Sequence, residues 1–200
     1  MIFVSLPLAC DETLYNLESP YCAEYENIKI AFVGGYWPSK GEQIDRYLKP
    51  FEDKLTIFGY SPWPYPGYRG QLPRDKEPSL YRQALLSPVI NEPSVAILHG
   101  QINERVFKVL GSGGVALVDA VPAYRELFSE EEMFIPRDDH EFADYARMLL
   151  SNESMREQVK EARNAVLQRH TYRHRVIQVL ENLAMDAHFE NLKISGGHND

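Results

Sequence analysis

The sequence predicts an α/β fold: a doubly wound, mostly parallel sheet with helices on both faces and further helices closing the C-terminal end. Three observations predict it. Short apolar, β-branched runs alternate with amphipathic ones along most of the chain. Several of the apolar runs end in glycine or aspartate, as strands entering ligand-facing loops do. From Asp138 onward the pattern is helical throughout.

The elements follow in order. MIFVSLPL is a strand candidate, and IKIAFVGG, from Ile28 to Gly35, is a stronger one. GEQIDRYLKPFEDK carries Ile44, Tyr47, Leu48 and Phe51 at helical spacing, and LTIFG returns to strand. SPWPYPGYRGQLPRDKEP has too many prolines for a regular element, so it reads as a long surface loop. Ser79 to Leu86 reads as a short helix, SVAILH as a strand and INERVFKVLG as a helix. VALVD is a strand, PAYRELF a helix and MFIP a short strand. Three helical stretches close the chain, with Asp138 or Asp139 able to cap the first and Ser151 or Asn152 the second.

Composition narrows the function. At 200 residues the chain buries enough surface to need no disulfide or metal for stability. Cys10 and Cys22 therefore read as reduced thiols. A net charge of −8 argues against nucleic acid as the main ligand, because phosphate backbones are held by clustered Lys and Arg. A small anion remains compatible, since local cations and backbone N–H groups can hold one against the global field. MIFVSLPLAC lacks the basic flank of a signal, and no run approaches the ~20 apolar residues of a membrane span. The expected location is cytoplasmic.

Three loops following predicted strands stand out: Gly34 to Gly41, Gly59 to Leu72, and Gly100 to Glu104. In the third, Gly100 allows close approach to the main chain, and the helix start near Asn103 offers N–H donors with Arg105 beside them. Asn103 as a plain helix cap and Arg105 as a solvated charge explain the same residues equally well. The glycines of GSGG, Gly111 to Gly114, follow a helix rather than a strand, so they read as a turn and not as a phosphate loop. Lys40 could neutralise a phosphate or lie at the surface; Tyr60, Trp63, Tyr65 and Tyr68 could stack on a ligand or pack the loop down. His170 and His174 have metal-compatible spacing, but Arg169, Arg173 and Arg175 make the helix a poor cation site. No nucleophile elbow is present, and no catalytic residue is assigned.

FVGGYWPSKG, TIFGY, RGQLPRDKEPSLYRQA, GQINERVFKVLGSGGVALVD, VPAYRELF and HTYRHRV, taken in order, resemble the C-terminal half of GT-B-fold glycosyltransferases. The likeness is greatest to the spore-maturation-protein, CgeB-like, group with its glycosyltransferase family 1 type donor domain. It implies a Rossmann-like domain, residues 27–185, preceded by an inter-domain-like strand and linker at 1–26 and followed by a flexible tail at 186–200. It implies a hexosyltransferase-type role: binding a nucleotide-diphosphate sugar as substrate, with neither metal nor cofactor, and working with a separate or fused N-terminal acceptor-binding domain. Lys40 and Gly41 match the family's diphosphate-contacting KG pair, although Gly35 stands where an arginine is common. Gly70, Gln71 and Leu72 match the segment near the base. The family's two spaced acids fall on Gly100 and Lys108, so both are replaced, with Glu104 one turn before Lys108. The expected donor-binding set is Gly34, Gly35, Lys40, Tyr60, Gly70, Gln71, Leu72, Gly100, Asn103, Glu104, Arg105 and Lys108. The alternative is a degenerate, non-catalytic interaction or regulatory domain of the same fold.

Overall fold

The computed structural model describes residues 6–96, 101–160 and 162–195. Four short strands form its centre: β1 (Ile30–Val33), β2 (Leu55–Phe58), β3 (Ser87–Val89) and β4 (Ala116–Val118). β1 pairs in parallel with β2, from Ile30–Leu55 to Val33–Phe58, and β3 with β4, from Ser87–Ala116 to Val89–Val118. A bridge at Ile30–Leu86 joins the two pairs. Around it Ala31 N–H donates to Leu86 O at 2.9 Å and Leu86 N–H to Lys29 O at 3.0 Å. The strand order is therefore β2-β1-β3-β4. The winding reverses between β1 and β3, and a doubly wound sheet opens a crevice at such a reversal.

Side chains alternate across the strands, so each strand feeds two cores. Ile30, Phe32, Leu55, Ile57 and Leu117 face α1 (Pro38–Leu48) and α4 (Asp139–Ser151), meeting Ile44, Leu48, Phe142 and Leu149. Val89, Ala116 and Val118 face the other way, onto Val106, Phe107 and Leu110 of α3 (Arg105–Gly111) and Val166 of α6 (Ala162–Arg169). α2 (Glu77–Gln83) supplies Tyr81 to that second core. The predicted α/β, doubly wound, parallel architecture is what the chain adopts.

Several local expectations need correction. The helix expected to run through Phe51 ends at Leu48; a 3-10 turn, Lys49–Lys54, follows because Pro50 has no N–H to continue the ladder. The helix expected over Ser79 to Leu86 runs instead from Glu77 to Gln83, and Ser87–Val89, given no element by the sequence, is a strand. SVAILH is not a strand where it is described: Pro93 starts a 3-10 turn reaching Ala96, and the rest of the segment, with His99 and Gly100, lies outside the described residues. PAYRELF forms a 3-10 helix, Pro122–Glu126, and MFIP is irregular. Of MIFVSLPL only 6–8 are described, and they are not strand.

Asp138 is the cap of α4, its carboxylate accepting Glu141 N–H at 2.8 Å. Asn152 accepts Met155 N–H at 3.2 Å and so caps α5 (Glu153–Lys160). Asp138→Ala is expected to destabilise the protein by about 1 kcal/mol, read as a lower urea midpoint at unchanged slope. GSGG ends α3. Gly113 takes φ +77°, and Gly114 N–H returns to Val109 O at 2.9 Å.

The first described residues dock against the start of α7 (Tyr172–Ser195), which extends past residue 186. Cys10 N–H donates to His170 O at 2.8 Å and Tyr172 N–H to Cys10 O at 3.0 Å. Arg175 Nε reaches Pro7 O at 2.9 Å. Ala9, Cys10 and Tyr15 are fully buried there, and both cysteines are free thiols. No helix among the described residues is long and apolar enough to cross a membrane.

Candidate functional site

A cleft of ≈ 300 Å³ opens beyond the carboxyl ends of β1 and β2. Gly34 and Gly35 continue β1 into its floor, and Gly59 and Tyr60 continue β2. Gln71 and Leu72 close one side, Glu77 and Tyr81 come from α2, and Asn103, Glu104, Arg105 and Lys108 come from α3 and its approach.

Glycine is required in this floor by close approach. A Cβ on Gly59 would overlap the carbonyl oxygen of Gly34, and one on Gly34 would sit 3.0 Å from Arg105 Nη2 and 3.3 Å from Lys40 Nζ. Both cations thus border the same small space over Gly34. Arg105 lies 4.7 Å from the Phe32 ring centroid, and its Nη1 is buried without a hydrogen-bond partner among the described residues. An unanswered guanidinium nitrogen beside an open cleft is a donor available to an anion.

Lys40 is less open than its motif suggests. It is 3% exposed, paired with Glu92 at 3.1 Å and stacked 4.3 Å from the Trp37 ring centroid. Burial lowers its ammonium pKa, and the nearby Arg105 charge lowers it further. It borders Gly34 but is not part of the cleft lining.

The helix start at Asn103 resolves toward its structural role. Asn103 Oδ1 accepts Arg105 N–H at 2.9 Å, and the amides of Val106 and Phe107 are already bonded to Asn103 O and Glu104 O. Any anion here is held by side chains rather than by those amides. Glu104 accepts Tyr172 OH at 2.6 Å and Lys108 Nζ at 2.9 Å. Burial opposes its charge, but these two donors outweigh it and hold the carboxyl below its ordinary range.

The aromatic loop mainly packs. Trp63 is buried and donates to Gly34 O at 2.8 Å, Tyr65 is buried, and Tyr68 OH donates to Gly59 O at 2.9 Å. Tyr60 alone of the four lines the cleft, and it is 71% exposed. Gly70 lies off the lining; its φ of +83° turns the chain so that Gln71 and Leu72 run along the cleft. Gly100 lies outside the described residues. Gly59, the start of a loop singled out in the sequence, also lines the cleft, as do Val33, Glu77 and Tyr81, which were not among the expected donor-binding residues.

A second polar cluster lies at the ends of β3 and β4. Asp119 accepts Asn91 N–H at 2.8 Å and Asn91 Nδ2 at 2.6 Å, and Asn91 Nδ2 also reaches Tyr124 OH at 2.9 Å. Burial raises the Asp119 carboxyl to about 6 despite these bonds. The native state therefore binds this proton more tightly than the unfolded chain, and Asp119 loses stabilising effect as pH rises from about 4 to about 6. His170 behaves oppositely. Burial lowers it to about 4, so it disfavours the native state as pH falls from about 6.5 to about 4. In Asp119→Asn the first slope vanishes. The wild-type advantage over the variant, measured by urea unfolding, is expected to shrink between pH 4 and 6 and to stay constant above pH 7.

The model of a family described as glycosyl transferase-like matches residues 23–181, most of the chain. The chain belongs to the glycosyl transferase-like family. No curated protein matches it. Among solved structures, this glycosyl transferase-like domain is similar to a T4 phage BGT mutant in complex with UDP-glucose (14% identity, 74% of this chain, 45% of that one, TM-score 0.56). It is similar to the DNA-modifying enzyme β-glucosyltransferase (15% identity, 82% of this chain, 49% of that one, TM-score 0.55). It is also similar to the N-terminal domain of Candida albicans trehalose-6-phosphate phosphatase (12% identity, 90% of this chain, 49% of that one, TM-score 0.56). At these identities the likeness concerns the fold, that of one half of a GT-B glycosyltransferase. The chain spans about half the length of these structures.

Proposed function

We propose that this glycosyl transferase-like domain, of the CgeB-like and family 1 type, binds a nucleotide-diphosphate sugar in the β1–β2 cleft as the donor half of a cytoplasmic, metal-independent glycosyltransferase. The observation that carries this reading is Arg105 Nη1, buried and without a partner among the described residues, with the guanidinium and Lys40 bordering the bare backbone of Gly34. In a partly enclosed cleft a guanidinium can pair with phosphate oxygens and stabilise the charge that develops on a departing nucleotide diphosphate. Lys40 adds positive potential from beside Gly34 without leaving Glu92. The solved structure with UDP-glucose in a similar fold supports the ligand class. The acceptor and its binding domain, separate or fused, complete the reaction.

Isothermal titration with UDP-, GDP- and dTDP-sugars tests the proposal. Saturable binding of one of them is expected, and binding of none overturns it. A non-catalytic domain of the same fold is the second reading, favoured by Lys108 standing where the family has an acid and pairing with Glu104 instead. Binding without transfer or donor hydrolysis, in the presence of the acceptor domain, would establish that reading.

A further inference from the structure

Two of the cleft's acids are held by tyrosines that lie off the cleft lining. Tyr15, in the docked N-terminal segment, is fully buried and donates to Glu77 Oε2 at 2.8 Å. Its ring also lies 5.4 Å from Lys108 Nζ. Tyr172, the first residue of α7, donates to Glu104 Oε1 at 2.6 Å, while Lys108 occupies Oε2 at 2.9 Å. The Cys10–Thr171 bridge ties the segment that carries Tyr15 to the start of α7, where Tyr172 N–H donates to Cys10 O at 3.0 Å, so one junction anchors the two segments from which both tyrosines come. Tyr172 is 38% exposed, where water could satisfy its hydroxyl; its bond to Glu104 therefore orients the acid rather than rescuing a buried donor.

A carboxylate and a diphosphate repel, whereas a carboxylate accepts hydroxyl protons well. Glu77, Glu104 and Arg105 share the lining of one cleft, which so offers both signs of charge to a ligand that is both anionic and hydroxylated. Phosphate oxygens go to the guanidinium and hydroxyls to the acids. Glu77 Oε1 has no protein partner among the described residues, and each Glu104 oxygen keeps a lone pair.

We propose that Tyr172 and Tyr15 are positioning residues that fix Glu104 and Glu77 as acceptors for hydroxyl groups of the bound nucleotide-sugar. The proposal rests on the nucleotide-sugar reading of the cleft. Tyr172→Phe removes a single hydroxyl at a half-exposed site and leaves the fold intact. It is expected to weaken the nucleotide-sugar bound by the wild type about 5- to 20-fold, while inorganic pyrophosphate, which has no hydroxyls, binds unchanged. Tyr15→Phe acts in the same direction through Glu77. In Glu104→Gln, adding Tyr172→Phe produces no further loss, which a merely structural tyrosine would not show. A carbon-13 carboxyl titration of the ligand-free protein is expected to show Glu104 titrating higher in Tyr172→Phe. If wild type and both phenylalanine variants bind the sugar nucleotide equally, the positioning role is overturned while the ligand assignment stands. If the wild type binds no nucleotide-sugar, both fall together.

Discussion

Arg105→Met is expected to weaken nucleotide-sugar binding at least about 100-fold while leaving thermal stability within a few degrees of wild type. The two halves of this result have one cause. The guanidinium lies beside Phe32 and close to Lys40, and its Nη1 is unanswered among the described residues. A buried cation of that kind does not help the ligand-free fold, and an apolar side chain of similar length can replace its packing. Its removal also relieves the repulsion that lowers Lys40. In the bound state the same group would make charge-assisted bonds to phosphate in a partly enclosed site, each worth about 1.5–3 kcal/mol. Arg105→Lys should recover little, because an ammonium lacks the fork that reaches two oxygens at once. Titration calorimetry and a melting curve on the same sample check both halves. A large fall in stability with intact binding would place Arg105 in the scaffold instead.

Gly59→Ala is expected to lower stability by about 3 kcal/mol or more, equivalent to a melting point lower by about 6 to 12 °C for a chain of this length. The added methyl would overlap the carbonyl oxygen of Gly34, and that oxygen is itself held by Trp63 Nε1 at 2.8 Å. Gly59 N–H is bonded to Gly70 O and Gly34 N–H to Phe58 O, so neither backbone can retreat without breaking a bond. The damage would also reach the cleft floor, so the surviving folded fraction should bind ligand more weakly. A variant melting at the wild-type temperature would show that the two strand ends can separate at low cost.

How far the sequence reveals this arrangement depends on how local each cause is. β1 and β2 are legible because IKIAFV and LTIF are β-branched runs stopped by glycine. β3 is not: Ser87–Val89 is three residues long and contains Pro88, and the neighbours Ile30 and Ala116 make it a strand. The more apolar SVAILH looks like the better candidate, yet Pro93 turns the chain as that run begins. In the site, Gly34, Glu104 and Arg105 can be picked from their place after a strand or at a helix start. Glu77 and Tyr81 cannot, because which side of α2 meets the cleft is decided by packing against α3. Lys40 shows the converse. Its motif is local, but its enclosure depends on Glu92, more than fifty residues away.

The junction at Cys10, His170 and Arg175 has a consequence for timing. Arg175 and Pro7 stand 168 residues apart in the chain, and the main chain of Pro7, Leu8 and Cys10 finds its partners at that late point. During synthesis at roughly 5–20 residues per second, the segment carrying Leu6, Leu8 and Tyr15 waits on the order of ten to thirty seconds before its dock emerges. The sheet can assemble in that interval, but the loop joining these ends must close over nearly the whole domain, an entropic cost borne late. Glu104 receives its tyrosine partner at that same closing step. A nascent chain released before α7 begins would therefore carry the glycine floor and Glu77 with its Tyr15 partner, but Glu104 without Tyr172.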